Sequence, residues 1–150
     1  MELDSYEINK ETCAILNLSE EVSKVIENTQ EYILPKNTFE IMEDSCNYYG
    51  STYDGRIKGT KMLLGSNYKL PIIIEEQNFL IFFPTTGVSN EKCSWISLNN
   101  IQNYVSYNGC TKVIFTSGKQ LILKIPFNSF ETQLFRATRL QVLLKKRTGV

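Results

Sequence analysis

Histidine is absent from the 150 residues. That removes the commonest general base and every Ser-His or Cys-His nucleophile pair. The four cysteines, at 13, 46, 93 and 110, stand far apart with no C-x-x-C among them. Without ligand spacing and without histidine, no metal site and no cofactor is expected. No window approaches the roughly 18 apolar residues of a transmembrane helix. The N-terminus, MELDSYE, is acidic and lacks the apolar core of a signal peptide. With no export signal, the cysteines are expected as reduced thiols in a cytoplasm. Chemistry through Lys, Tyr or paired carboxylates is the least favoured class, and the chain reads as non-enzymatic.

What is present suits one α+β domain spanning residues 1–150, with 42% hydrophobic and 11% aromatic residues. No internal repeat, low-complexity segment or linker interrupts it. The net charge of zero conceals a division. Residues 1–55 hold twelve Asp/Glu against Lys10, Lys24 and Lys36, a net of 3 − 12 = −9. Residues 56–150 hold thirteen Lys/Arg against Glu75, Glu76, Glu91 and Glu131, a net of 13 − 4 = +9. Such segregation points to a basic face for a polyanion, unless the two halves interleave in space and cancel.

The stretch Ser45–Lys61, SCNYYGSTYDGRIKGTK, stands at the boundary of the two halves. It holds Tyr48, Tyr49 and Tyr53, glycines at 50, 55 and 59, and the cations Arg56, Lys58 and Lys61 against Asp54 alone. Glycine lets backbone come close to a partner, and tyrosine offers an apolar body with a polar tip. The competing reading is a glycine-capped helix followed by a solvated loop.

Along the chain, Tyr6 and Ile8, then Cys13, Ile15 and Leu16, alternate around Lys10-Glu11 as a short hairpin. Ser23–Glu27 and Glu31–Leu34 flank Asn28-Thr29-Gln30 as a second hairpin, in competition with a helix over Ser19–Ile26. A short central helix starts at Asn37 or Thr38, with Phe39, Met42 and Cys46 at helical spacing, and stops at Gly50. Thr52–Leu64 fits either a second helix or an extended segment. Gly55 and Gly59 would each cost a helix about 1 kcal/mol, which argues against a standard recognition helix.

Strands follow at Pro71–Glu75 and Phe79–Pro84, then a polar loop over 85–92 and a strand at Trp95–Ser97. Ile101–Tyr107, Cys110–Thr116 and Lys119–Ile125, with turns at Asn108-Gly109 and Ser117-Gly118, predict a meander. A helix from about Asn128 to Lys146 closes the chain, capped by Asn128 or Ser129, with Glu131 favouring its start. Phe130, Leu134, Ala137, Leu140 and Leu144 share its core arc, and Arg136, Arg139, Lys146 and Arg147 the opposite one. Phe135 and Val142 form a narrower second stripe that reads as core.

Several residues together resemble the ComK family of competence transcription factors. They are Ser45-Cys46-x-Tyr48-Tyr49-Gly50-Ser51-x-Tyr53-x-Gly55-Arg56-x-x-Gly59-Thr60, then Pro71-Ile72, Phe83-Pro84-Thr85 and Cys93-x-Trp95-Ile96-Ser97. Phe115-x-x-Gly118-Lys119 and Asn128-Ser129-Phe130-Glu131-x-Gln133-x-x-Arg136 continue the pattern. The resemblance implies a DNA-binding activator of A/T-rich boxes, acting chiefly through the minor groove as paired subunits, a homodimer or a pairing of dimers. It also implies control by a proteolytic adaptor in the cytoplasm. Family members carry a longer C-terminal tail, whereas this chain ends at Val150, which leaves tail-dependent adaptor control open.

Minor-groove readers need cations for a narrow electronegative groove and backbone able to come near it. On that footing the expected DNA contacts are Tyr53, Gly55, Arg56, Lys58, Lys61, Lys69, Arg136 and Arg139. Arg136 is equally readable as a surface ion pair on its Glu131 side. Cys46, Phe83, Pro84, Cys93 and Trp95 read as packing. A non-DNA-binding interaction module of the same fold is the alternative.

Overall fold

A computed structural model describes residues 1–85 and 93–149. The expected polar loop therefore lies, apart from Thr85, outside the described residues.

The first expected hairpin does not form. Lys10 and Glu11 do turn, but residues 5–9 make no strand. Side chains replace the ladder there: the Asn9 carboxamide accepts from the Glu11 N–H at 2.8 Å, and Thr12 Oγ1 accepts from the Asn9 N–H at 3.0 Å. Such local bonds offer the backbone an alternative to sheet pairing. Tyr6 and Ile8 still alternate inward, because both are buried.

The hairpin at this end is instead β1 (Thr12–Ser19) against β2 (Val22–Glu27), and β2 continues to β3 (Glu31–Leu34) around the expected Asn28–Gln30 turn. No helix forms over Ser19–Ile26, since Ser23 and Val25 turn inward with the period of a strand. Helix α1 (Thr38–Tyr48) opens with a capping box. Asn37 Oδ1 accepts from the Glu40 N–H at 2.9 Å, and Glu40 Oε1 accepts from the Asn37 N–H at 3.3 Å. It stops at Gly50, whose φ of 81° suits glycine.

The open segment is a helix, α2 (Tyr53–Leu64), capped by Thr52 Oγ1 accepting from the Gly55 N–H at 2.9 Å and ended by Gly65. Strands β4 (Ile72–Glu75), β5 (Leu80–Pro84) and β6 (Trp95–Ser97) follow, then a 3-10 turn at Leu98–Asn100. The meander forms as expected, from β7 (Ile101–Tyr107), β8 (Cys110–Phe115) and β9 (Gln120–Leu123).

Helix α3 (Phe127–Thr148) ends the chain. Its N-cap is Pro126, with no side-chain cap bond, so neither Asn128 nor Ser129 caps it. Glu131 lies past the first turn and accepts from the Tyr104 hydroxyl at 2.7 Å.

Six strands make one antiparallel sheet in the order β3-β2-β1-β6-β5-β4, and β7-β8-β9 make a second. The six-stranded sheet is the middle layer. Ile15, Ile72, Ile74, Phe82 and Trp95 on one face meet Ile41, Met42 and Cys46 of α1 and Tyr53 of α2. Cys13, Ile73, Ile81, Phe83 and Ile96 on the other meet Val113 and Phe115 of the meander and Phe130, Ala137, Leu140 and Leu144 of α3. The period-2 alternation of strands thus feeds two cores from one sheet. Helix α2 passes the β4 edge, with Tyr53 in the first core and Leu63 and Leu64 against the second.

On α3 the core arc is as expected for four of its five residues; Leu134 is only partly buried, and Gln133 is buried beside it. Phe135 and Val142 are corrected from core to surface, at 59% and 47% exposed. The sheets cover α3 from one side only, so an arc nearly half a turn from the buried one has nothing to pack on.

Candidate nucleic-acid interface

The Ser45–Lys61 stretch folds as the end of α1, a four-residue turn and most of α2. Ser45 is buried and its Oγ accepts from the Ile8 N–H at 3.0 Å. Tyr49 Oη donates to the Ile8 carbonyl at 2.6 Å, while Tyr48 is exposed. These bonds hold the end of α1 onto the N-terminal segment.

Tyr53 does not present its ring to a partner. The ring lies edge-on to Phe39 at 4.8 Å between centroids and to Trp95 at 6.4 Å, and the residue is buried. Burial pushes its phenol well above the usual tyrosine value, with Cys93 and Cys46 adding to the rise. The expectation of a DNA contact there gives way to a core role. An aromatic at the first position of α2, facing the sheet, is what anchors the helix start.

The other α2 candidates divide. Gly55, Lys58 and Lys61 lie on the exposed arc together with Asp54 and Met62. Arg56 turns to the flank, where Nη1 meets Glu76 Oε1 at 3.3 Å and the side chain is 18% exposed. Its Nε is buried with no acceptor among the described residues. Lys58 and Lys61 make no ion pair among the described residues, so their charges face solvent.

Lys69 and Arg136 meet at the segment between α2 and β4. Lys69 adopts φ 47°, and its Nζ lies 5.3 Å from the centroid of the Tyr68 ring. Gln133 Nε2 donates to the Lys69 carbonyl at 3.0 Å and to the Pro84 carbonyl at 3.1 Å. Arg136 Nη1 donates to the Tyr68 carbonyl at 2.9 Å and to Gln133 Oε1 at 3.0 Å. Nη1 of Arg136 is therefore engaged by a backbone carbonyl and a side-chain amide, and the Glu131 ion pair is not made. Arg139, one turn on, is exposed and unpaired among the described residues. Three residues missed at the level of sequence matter here: Glu76, Tyr68 and Gln133. Glu75-Glu76 had a signal, as the one adjacent acid pair in a basic half.

Few ion pairs cross between the two halves of the sequence. Of the four ion pairs among the described residues, only Lys119–Glu31 at 3.6 Å joins the acidic and basic halves; the other three pair charges within a half. The arrangement offers free ammonium and guanidinium groups that suit phosphate. The thiols of Cys13 and Cys46 are pushed up to about 11 by burial, although Arg56 pulls against the rise at Cys46. No disulfide joins any of the four cysteines among the described residues. Among the described residues no cluster of His, Cys, Asp and Glu could hold a metal, and no helix is long and apolar enough to cross a membrane.

The chain is 33% identical over 151 residues to the competence transcription factor of Bacillus subtilis (strain 168), covering 97% of this chain and 78% of that protein. No solved structure matches it. The family model described as ComK protein matches residues 3–149, from the N-terminal segment to the end of α3. Because that match takes in both helices that carry the free cations as well as the sheets that hold them, the chain belongs to the ComK protein family.

Proposed function

We propose that this protein is a competence transcription regulator that binds double-stranded DNA at A/T-rich boxes through the minor groove. The observation that carries the reading is the exposed arc of α2, where Lys58 and Lys61 stand free beside Gly55 on a helix fixed at both ends. The B-DNA minor groove is about 6 Å wide, whereas a helix with its side chains measures about 10 Å across. Helix α2 therefore lies along the groove rim, and the long lysine side chains reach in or bind the flanking phosphates. A narrow A/T groove concentrates negative potential and draws such cations. Lys69 and Arg139 add phosphate contacts that set register without reading sequence. Arg136 supports this face through Tyr68 rather than touching DNA. Action as paired subunits in the cytoplasm, under a proteolytic adaptor, belongs to the same reading.

Fluorescence titration of A/T-rich and G/C-rich duplexes at several salt concentrations tests it. Affinity for A/T-rich duplex is expected to be higher and to fall steeply with salt. The double variant Lys58→Ala/Lys61→Ala should flatten the slope by about two units, one for each phosphate released. Absence of binding at low salt, or a flat salt profile, favours the non-DNA-binding module instead. A competing minor-groove ligand should displace the protein.

A further inference from the structure

We infer that Arg56 is a positioning residue, which sets the angle of α2 through Glu76, and that it does not itself contact nucleic acid. The inference rests on the reading of α2 as the DNA-facing helix and deepens it.

Helix α2 has little of its own to hold it. Only Tyr53 and Thr60 are buried, and Gly55 and Gly59 interrupt its middle. Tyr53 fixes the start in one core, and Leu63 and Leu64 fix the end against the other. Between them, Arg56 makes the one ion pair from α2 to another element among the described residues, at 3.3 Å to Glu76.

The far side of that pair lies in a hydrogen-bonded turn. Glu76 opens the turn between β4 and β5, where Glu75 Oε2 accepts from the Asn78 N–H at 2.9 Å and Oε1 accepts from Asn78 Nδ2. Phe79 closes the turn at φ 52°, a conformation most residues avoid. Glu75 is thus committed to the turn, which leaves Glu76 for Arg56. The guanidinium also lies inward, with Nε buried and its charge felt at the buried Cys46 thiol. To enter a groove it would have to leave Glu76 and draw its stem off the helix flank. Lys58 and Lys61 have nothing to leave.

The sign of one substitution separates holding from touching. Glu76 is more than half exposed, so Glu76→Gln is expected to fold normally. If Arg56 holds α2, Glu76→Gln lowers affinity for A/T-rich duplex about three- to tenfold. Amide exchange over Ile57–Lys61 then speeds up in the free protein. If Arg56 contacts DNA, the same change frees it and removes a carboxylate from the surface, so affinity rises or stays level. That result overturns the inference, as does a fall in affinity with α2 exchange unchanged. Arg56→Lys, which keeps the charge but loses the planar guanidinium fork, is expected to lie between wild type and Arg56→Ala. If wild-type protein binds no duplex, the DNA reading fails by itself; the exchange measurement on Glu76→Gln still reports whether Arg56 holds α2.

Discussion

Helices α2 and α3 carry the candidate contacts and are built on opposite principles. Helix α3 runs 22 residues with Phe130, Ala137, Leu140 and Leu144 buried along one stripe, so its own sequence dictates where it packs. Helix α2 runs 12 residues with two interior glycines, and its place is set from outside by Phe39, Trp95 and Glu76. One helix is specified locally and the other by its neighbours. The second kind can be moved by changing residues that never leave the scaffold, which suits a surface that must adjust to a partner.

The comparison predicts that the largest loss of stability follows from cutting the α3 stripe. Phe130→Ala should cost about 3–5 kcal/mol in denaturant melting, since the ring is fully buried against Phe83. Arg139→Ala, on the exposed arc of the same helix, should stay within about 0.5 kcal/mol. Equal losses would break the assignment of faces.

Native-state opening should then favour the α2 side. Cys46, on the inner face of α1, lies in the core shared with α2, and Cys13, on β1, lies in the core covered by α3. Both thiols are held at about 11, so each reacts through its thiolate only slowly at neutral pH, and the rate climbs with pH up to about that value. In single-cysteine variants Cys46 should label about tenfold faster than Cys13, the ratio set by about 1.4 kcal/mol less opening free energy. Faster labelling of Cys13 would reverse the ranking of the two helices.

The smallest effect has the opposite sign. An added Cβ at Gly59 meets nothing within 4 Å, so Gly59→Ala should stabilise by about 0.8–1 kcal/mol. At Gly55 it meets Thr52 Oγ1, the capping oxygen, at 3.0 Å, and the gain should be less. If Gly59→Ala stabilises yet weakens DNA binding, close approach of the partner to α2 is located at that residue.

The same contrast explains what could be read in advance. The meander and α3 are legible because alternation in Cys110–Phe115 and the stripe from Phe130 to Leu144 are local signals. Helix α2 is not, although Tyr53, Ile57, Thr60 and Leu64 recur at helical spacing. Gly55 and Gly59 argue against a helix with comparable force, and what overrides them is tertiary. The N-terminal segment misleads for a related reason, since Tyr6 and Ile8 alternate like a strand while side-chain bonds from Asn9 and Thr12 hold the backbone. In the candidate site, cation positions were legible but their availability was not. Arg56 and Lys58 look alike in sequence, and only Glu76, twenty residues away, separates them.

Strand β6 is three residues long, yet among the described residues it is the one strand that joins the two halves of the central sheet. It pairs Ile15 with Trp95 on one side and Pro84 with Trp95 on the other. The β1–β3 half is complete in sequence by Leu34 and the β4–β5 half by Pro84, and neither meets the other until Trp95–Ser97 is in place. Closing such long loops makes assembly slow relative to the local hairpins. Until then β1 and β5 each keep an open edge, ready to pair with any extended chain. How long those two edges stay open while the protein is being made is therefore expected to depend on how soon three residues find their slot.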